Sequence, residues 1–332
     1  MKAVTGKRVA LGLLAAVHLA ALAAGFLAPY APVEQNRTMP YAPPTRIHFV
    51  DAAGRFHARP FVYAMEERDG VPGAYEEDRS RRHPVRFLVT GAPYVIAGVV
   101  RGRTHLFGVE DPARVFLLGA DGLGRDQLSR LLHGAQVSLA AGLLATALSL
   151  GLGWLLGTTA GFYGGWVDAV VMRGAEMVLA LPWLYLLLAV RAALPLHVPP
   201  AEAFLMIVLV IGLVDCARPA RLVRGVVLSA RERNYVLAAR GFGASDVYLV
   251  RRHIAPHTLG LVLTQAAVLV PQYVLAEVTL SFLGLGVSEP APSWGNMLAA
   301  LQQYHVMSTY WWMWAPGVAL VPVFLAYFVL SE

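Results

Sequence analysis

Lysine is almost missing from this chain, cysteine occurs once and charged residues are scarce, and each shortage closes off a class of function. Lysine is confined to Lys2 and Lys7 and no G-x-x-x-x-G-K-[ST] occurs, so there is no lysine-bearing cradle for nucleotide phosphates and the chain is not a P-loop ATPase. It also has no H-E-x-x-H metal motif and no G-x-S-x-G nucleophile elbow. The histidines are scattered; His48 and His57, which flank the turn Asp51-Ala52-Ala53-Gly54, read as surface strand residues rather than metal ligands. Cys216 alone allows no internal disulfide and no cysteine-based zinc site. Only 14% of the 332 residues are charged and 57% are hydrophobic. Soluble domains carry roughly 25% and 45–50%, so most of this chain is expected to sit in lipid. The net charge of +6 is almost wholly arginine, nucleic acid is not expected as a partner, and what matters is where the arginines cluster.

A bilayer core of about 30 Å takes about 20 mostly apolar residues per helix. Six stretches qualify, approximately Val9–Ala28, Ala135–Gly161, Val167–Val190, Ala203–Ala217, Thr258–Leu285 and Trp311–Leu330. The first exceeds the roughly 7–15 residues of a signal-peptide core, which favours a retained helix. Lys2, Lys7 and Arg8 precede it, and eight arginines between Arg218 and Arg252 follow the fourth span, whereas the loop Gly286–Tyr310 has neither lysine nor arginine. The positive-inside rule therefore puts both termini and the arginine-rich loop in the cytoplasm, and the long segment after the first span outside. That segment contains the strand-like runs RIHFV, RFHARPFVY, VRFLVT and PYVIAGVV, and Ile47 and Phe49 alternate with polar neighbours as the buried face of a hairpin would. The expected fold class is an all-α polytopic membrane protein of about six transmembrane helices with a β-rich extracytoplasmic insert. Residues 1–30 form the N-terminal helix and residues 31–130 the insert. Residues 131–332 form the transmembrane domain, with a cytoplasmic loop at 217–257.

Within the spans, Gly153, Gly157 and Gly161 recur every four residues and share one helix face, where small residues let a second helix backbone come close. Pro182, Pro271, Pro316 and Pro322 each remove a helix hydrogen bond and could kink their spans. Glu277 is the one ionisable residue well inside the fifth span, a candidate intramembrane polar site or a structural hydrogen-bonding group. Arg173 and Glu176, three apart, can pair on one helix face.

The stretch NYVLAARGFGASDVYLVRRHIAP, from Asn234 to Pro256, has helix-forming composition broken at Gly241 and Gly243. Ser245 and Asp246 can cap a second helix, in which Val247, Val250 and Ile254 line one face away from Arg251 and Arg252. Pro256 falls where the next span begins, a position that tolerates proline. A helix, glycine turn and helix on the cytoplasmic surface would suit either anionic lipid headgroups or a docking partner.

Leu237-Ala238-Ala239, then Gly243 and Pro256, resembles the E-A-A-x-x-x-G…P loop of permease subunits of bacterial ABC importers. The wider chain is similar to the dipeptide, oligopeptide and nickel permease family, of the second-permease type. The resemblance is carried by FLAPYAP, DGLGRDQLSRLLHGAQVSL from Asp121, GFYGGWVDAVVMR from Gly161, LALPW from Leu179, ARLVRGVVLSARERNYVLAARGFGASD from Ala220, LAEVTLSFLGLGV from Leu275 and PSWGNML from Pro292. It implies a subunit of the bacterial inner membrane that is not itself an enzyme and binds no cofactor. A second permease subunit would complete the pathway, two ATPase subunits would hold the ATP and magnesium, and an extracytoplasmic solute-binding protein would deliver a peptide-like solute. Tyr235, Ala238, Ala239, Arg240, Gly241, Gly243, Ala244, Ser245, Asp246 and Pro256 would then belong to the loop that couples to an ATPase. Three departures stand out: Leu237 replaces the usual glutamate, Ala255 replaces the usual leucine, and residues 37–114 match nothing in the family. A self-sufficient channel or secondary transporter, or a membrane scaffold or receptor built around the insert, are the competing classes.

Overall fold

The computed structural model describes residues 2–67, 73–96, 98–195 and 198–331. The chain opens with helices α1 (Lys2–Leu22) and α2 (Ala24–Leu27). Five strands follow, β1 (His48–Val50), β2 (Phe56–Glu67), β3 (Tyr75–Pro84), β4 (Arg86–Ile96) and β5 (Val100–Gly108). Then come α3 (Gln127–Tyr163), α4 (Gly165–Leu179), α5 (Trp183–Ala193), α6 (Pro200–Val214), α7 (Ala217–Arg231), α8 (Asn234–Gly241) and α9 (Asp246–Tyr248). A π-helical turn at Leu249–Ile254 leads into α10 (Ala255–Phe282), and α11 (Trp294–Ala299), α12 (Tyr304–Thr309) and α13 (Ala315–Ser331) complete the chain. They form two compact units: a helical unit of Met1–Leu11, Ala140–Leu280 and Phe324–Glu332, and a mixed unit of Gly12–Leu139 and Ser281–Val323.

Among the described residues four helical stretches are long and apolar enough to cross a membrane: Thr5–Leu22, Gln127–Tyr163, Asp246–Phe282 and Trp311–Ser331. Two bent helix pairs raise the number to six if each is one span. Helices dominate because in lipid only an intrasegment ladder or a closed barrel satisfies every backbone group. The third expected span is corrected, since Val167–Val190 is not one straight helix: α4 and α5 meet at 89° across residues 180–182. Pro182 has no N–H to continue the ladder and takes an extended ψ of 114° as the N-cap of α5, and the residue before a proline is disfavoured in helix. The fourth runs further than its apolar composition suggests, with α6 passing into α7 at a 42° bend. Pro271 and Pro322 sit inside α10 and α13 without ending them.

In the helical unit α3 lies backbone to backbone with α7. A Cβ on Gly153 would stand 2.6 Å from Pro219 Cβ, one on Gly157 would collide with the Ala220 carbonyl oxygen, and one on Gly161 would stand 2.9 Å from the Arg224 carbonyl oxygen. The three glycines thus form a groove for the start and middle of α7, and the contact is one of close van der Waals packing.

In the mixed unit β1, β2 and β3 form an antiparallel sheet in that order, and β4 pairs with β5. The phase expected for the hairpin is corrected: Ile47 and Phe49 are exposed, and His48 faces the packed side, with its ring against Phe61 and Tyr63 and Nε2 2.8 Å from Glu77 Oε1. In a strand a shift of phase by one residue exchanges the two faces completely. VRFLVT and the first half of PYVIAGVV, read as separate strands, are joined in β4 across a register shift between Thr90 and Tyr94. β3, YEEDRSRRHP, has no apolar alternation and pairs with β2 through a shift in which Ser80 is held by both Asp78 carboxylate oxygens. Small cores of Val62, Val85, Ala113 and Val115, and of Met39, Ala42, Phe116 and Ala120, hold the unit together. Tyr30 packs against both, and its hydroxyl accepts from Val115 N at 2.9 Å. Asp126 caps α3, its Oδ2 accepting from the backbone N–H and hydroxyl of Ser129 at 2.7 and 2.6 Å.

Two outcomes follow from these contacts. Gly157→Leu should lower the melting temperature of the detergent-solubilised protein strongly, by the equivalent of about 3 kcal/mol or more, because a backbone oxygen cannot yield to the new side chain. Gly151→Leu, at a position with open space around it, is the control and should change little. Burial pushes the Asp126 carboxyl up to about 7, against the lowering hydrogen bonds from Ser129. A carboxyl raised in the folded state stabilises fully below the ordinary carboxylate range, and that contribution, up to about 4 kcal/mol, is lost as pH rises from about 4 to about 7. Asp126→Asn should flatten that fall in the melting temperature, and an unchanged pH profile would assign the titration to another group.

Candidate functional site

α7 has two registers of side chain. Val223, Val227 and Ala230 turn inward with Phe162, Val236, Leu249 and Ile254 to form one buried cluster. On another face Arg224 grips Asp168 at the start of α4, Nε to Oδ1 at 2.6 Å with a second bond between Nη2 and Oδ2. Arg231 Nη1 donates to the Gly161 carbonyl at 2.9 Å, so the last turn of α3 receives a cation where its unpaired carbonyls gather. Trp154 Nε1 donates to Thr258 Oγ1 at 2.9 Å, tying α3 to the start of α10.

α8 is docked on this base by Val236, while Tyr235, Leu237, Ala238 and Arg240 remain exposed. Its end is a Schellman turn: Ala244 N–H bonds the Ala239 carbonyl at 3.1 Å and Gly243 N–H the Arg240 carbonyl at 3.0 Å. That geometry requires a left-handed residue in the penultimate position, and Gly243 supplies it with φ +85°. Ala239 and Ala244 close the turn against the buried cluster, Gly241 is exposed, and the Arg240 guanidinium lies 5.3 Å from the Phe162 ring centroid.

Ser245 caps α9, its hydroxyl accepting from Tyr248 N at 3.4 Å, while Asp246 follows as the first helical residue and does not cap. The apolar face expected for this helix is corrected. Val247 is exposed, Val250 is half-buried, and the buried pair is Leu249 and Ile254. The segment is π-helical, and its i to i+5 repeat puts residues five apart on one side. Pro256 lies in the first turn of α10.

Two features went unread in the sequence. Phe242 in the turn is 92% exposed, and Val247 and Tyr248 are also exposed. His253 and His257 join Tyr235 and Tyr248 in a ring cluster, in which the Tyr235 hydroxyl bonds His257 Nε2. The GFG sequence was the available signal for an outward phenyl group, since glycine on both sides leaves it no neighbour to pack on. The surface as a whole is an apolar and aromatic patch with a basic margin on a hydrogen-bonded base.

Glu277 is fully buried in α10, 21 residues beyond Pro256 and so about 30 Å along the helix from the loop. A second buried polar group lies at the bend between α6 and α7, where the Tyr273 hydroxyl is 2.9 Å from both Asp215 Oδ2 and Ser149 Oγ. Arg173 and Glu176 form an exposed pair at 3.6 Å. Among the described residues no group of three or more histidine, cysteine or acidic side chains could hold a metal ion.

A family model described as the binding-protein-dependent transport system inner membrane component matches residues 150–332. A protein named as a peptide permease in Brucella ovis is 37% identical over 209 residues, 63% of this chain and 67% of that one. One named as a peptide transport system permease in Brucella suis is 35% identical over 241 residues, 73% and 79% of the two chains. A glutathione transport system permease of Pectobacterium atrosepticum is 34% identical over 213 residues, 64% and 66%. The crystal structure of an amino acid ABC transporter with histidines aligns to 61% of this chain and 87% of its own at TM-score 0.42 and 17% identity. With more than half of its length matched by that model, the chain belongs to the family of inner-membrane components of binding-protein-dependent transport systems.

Proposed function

We propose that this chain is one of two membrane-spanning subunits of an ATP-driven importer for peptides or peptide-like solutes. The observation that carries the coupling assignment is the exposed surface of α8 and its Schellman turn, fixed to α3 and α7 in a chain with no nucleotide cradle of its own. An ATPase subunit would receive Leu237, Ala238, Phe242 and Val247, and closure of two such subunits on ATP and magnesium would pull on α7 and α10 through this turn. Leu237 stands where relatives of the loop carry glutamate, so the contact here is apolar. A second permease subunit would complete the pathway, and an extracytoplasmic binding protein would deliver the solute. The charge distribution supports cytoplasmic termini, with residues 31–130 outside the membrane as a β-rich insert and residues 131–332 as the transmembrane domain. The relatives named for peptides and glutathione support a solute with peptide bonds.

The buried Asp215, Tyr273 and Ser149 favour one other reading, a carrier driven by an ion gradient. Co-purification separates the two: an ATP-binding subunit should accompany the protein through mild detergent extraction, and its consistent absence would sink the importer. Phe242→Ser should leave membrane insertion and stability within about 0.5 kcal/mol of the parent, since the ring packs on nothing. ATP-driven uptake in cells should nevertheless fall by about tenfold or more, as expected for losing an interface anchor. Uptake at the parental rate would remove Phe242 from the docking surface.

A further inference from the structure

The loop before α3 and the loop between α10 and α11 enclose a cavity of about 300 Å³ in the mixed unit. Two buried arginines face it. Arg125 Nη1 and Nη2 both donate to the Glu289 carboxylate, and Arg130 Nη2 donates to its Oε1 at 2.8 Å. Asp121 takes Arg125 Nε at 2.7 Å and lies 3.5 Å from Arg130 Nε, so two cations meet two carboxylates. The carboxylates are not equivalent. Asp121 is buried and laced into its own turn, accepting from the backbone N–H groups of Leu123 and Arg125 at 2.9 and 3.0 Å. Glu289 reaches in from a loop with its side chain 48% exposed, and is the one carboxylate that can leave without breaking a turn.

Withdrawal of Glu289 would leave two guanidinium forks, already oriented and largely desolvated, facing an unfilled carboxylate position. Gln127 lines the same cavity, 1% exposed, with its Nε2 donating to Met313 Sδ while its Oε1 meets no donor. Buried acceptors are almost always paired, so an unpaired one beside a cavity is set for an incoming N–H. A carboxylate with an N–H donor close behind it describes the C-terminal end of a peptide. The space is about ten times the ~30 Å³ share of one liquid water, room for such an end.

We propose that Arg125, Arg130 and Gln127 form a receptor for the terminal carboxylate and last amide of a peptide-like molecule, with Glu289 as the chain's own occupant when none is bound. Taking a peptide as the natural ligand rests on the function proposed above, while the carboxylate chemistry rests on the cavity alone.

Chemical rescue tests this on the full chain in lipid nanodiscs, followed by thermal unfolding at constant ionic strength. Glu289→Ala should lower the melting temperature by about 5 °C or more, because two buried cations lose a partner. Saturating acetate should restore most of the loss and acetamide none, while the parent protein responds to neither. Glycylglycine should act at a lower concentration than acetate, and adding Gln127→Leu should remove that advantage while leaving the acetate response. If Glu289→Ala yields no folded protein, Glu289→Gln is carried through the same series, with the same acetate-specific rise expected. Equal effects of acetate and acetamide, or no effect of either, would overturn the receptor. The readout involves neither ATPase nor uptake, so its failure is distinct from failure of the importer reading.

Discussion

Backbone contact between α3 and α7 through Gly153, Gly157 and Gly161 fixes the base on which the arginine-rich loop stands, because only Glu232 and Arg233 separate α7 from α8. Helices in lipid gain little from burying apolar surface, so a fixed relation between two of them has to come from close packing and from polar ties. Both occur here. The glycine groove sets the distance, and Arg224 on Asp168 and Arg231 on the last carbonyls of α3 set the rotation. The Schellman turn at Gly243 then presents Phe242 at the outer edge of an element whose inner edge is locked by Val236, Leu249 and Ile254.

The near absence of lysine has a structural counterpart. Nearly every cation that matters acts as a planar fork: Arg224 on Asp168, Arg125 on Asp121 and Glu289, and Arg114 reaching Glu34 at 2.6 Å while lying 4.9 Å from the Tyr30 ring centroid. An ammonium is a compact, strongly hydrated point charge, unable to satisfy two carboxylate oxygens in plane or to stack on a ring with the same economy of donors. Tyr30, sealed between two small cores, has its hydroxyl pushed up to about 12 by that burial and serves as a neutral acceptor for a backbone N–H.

Much of this was legible before the structure. The four continuous candidate spans follow from long runs of apolar residues, and the loop with its glycines follows from the interruption of those runs. Other elements were opaque for identifiable reasons. β3 carries six charged residues in ten and no apolar residue between Tyr75 and Pro84, so no period of two appears in YEEDRSRRHP. Ile47 and Phe49 alternate as predicted but lie on the open side, since hydrophobic pattern gives the spacing of a strand's faces and only the partner sheet decides which is covered. The π-helical segment replaces Val250 by Leu249 as the buried partner of Ile254, five residues back instead of four, a change no propensity signals.

By itself the sequence determined that the chain belongs in a membrane, that it cannot bind nucleotide through a P-loop, and which of its loops is both basic and helical. These are properties of composition and local order, readable wherever solvent transfer dominates the energetics. The tertiary structure alone decided that α4 and α5 meet at 89° at Pro182, that Tyr273 meets both Asp215 and Ser149, and that Arg125 and Arg130 close on Glu289 across 164 and 159 residues of chain. Polar pairing of that kind depends on which side chains folding brings within about 3 Å, a distance that sequence separation does not encode.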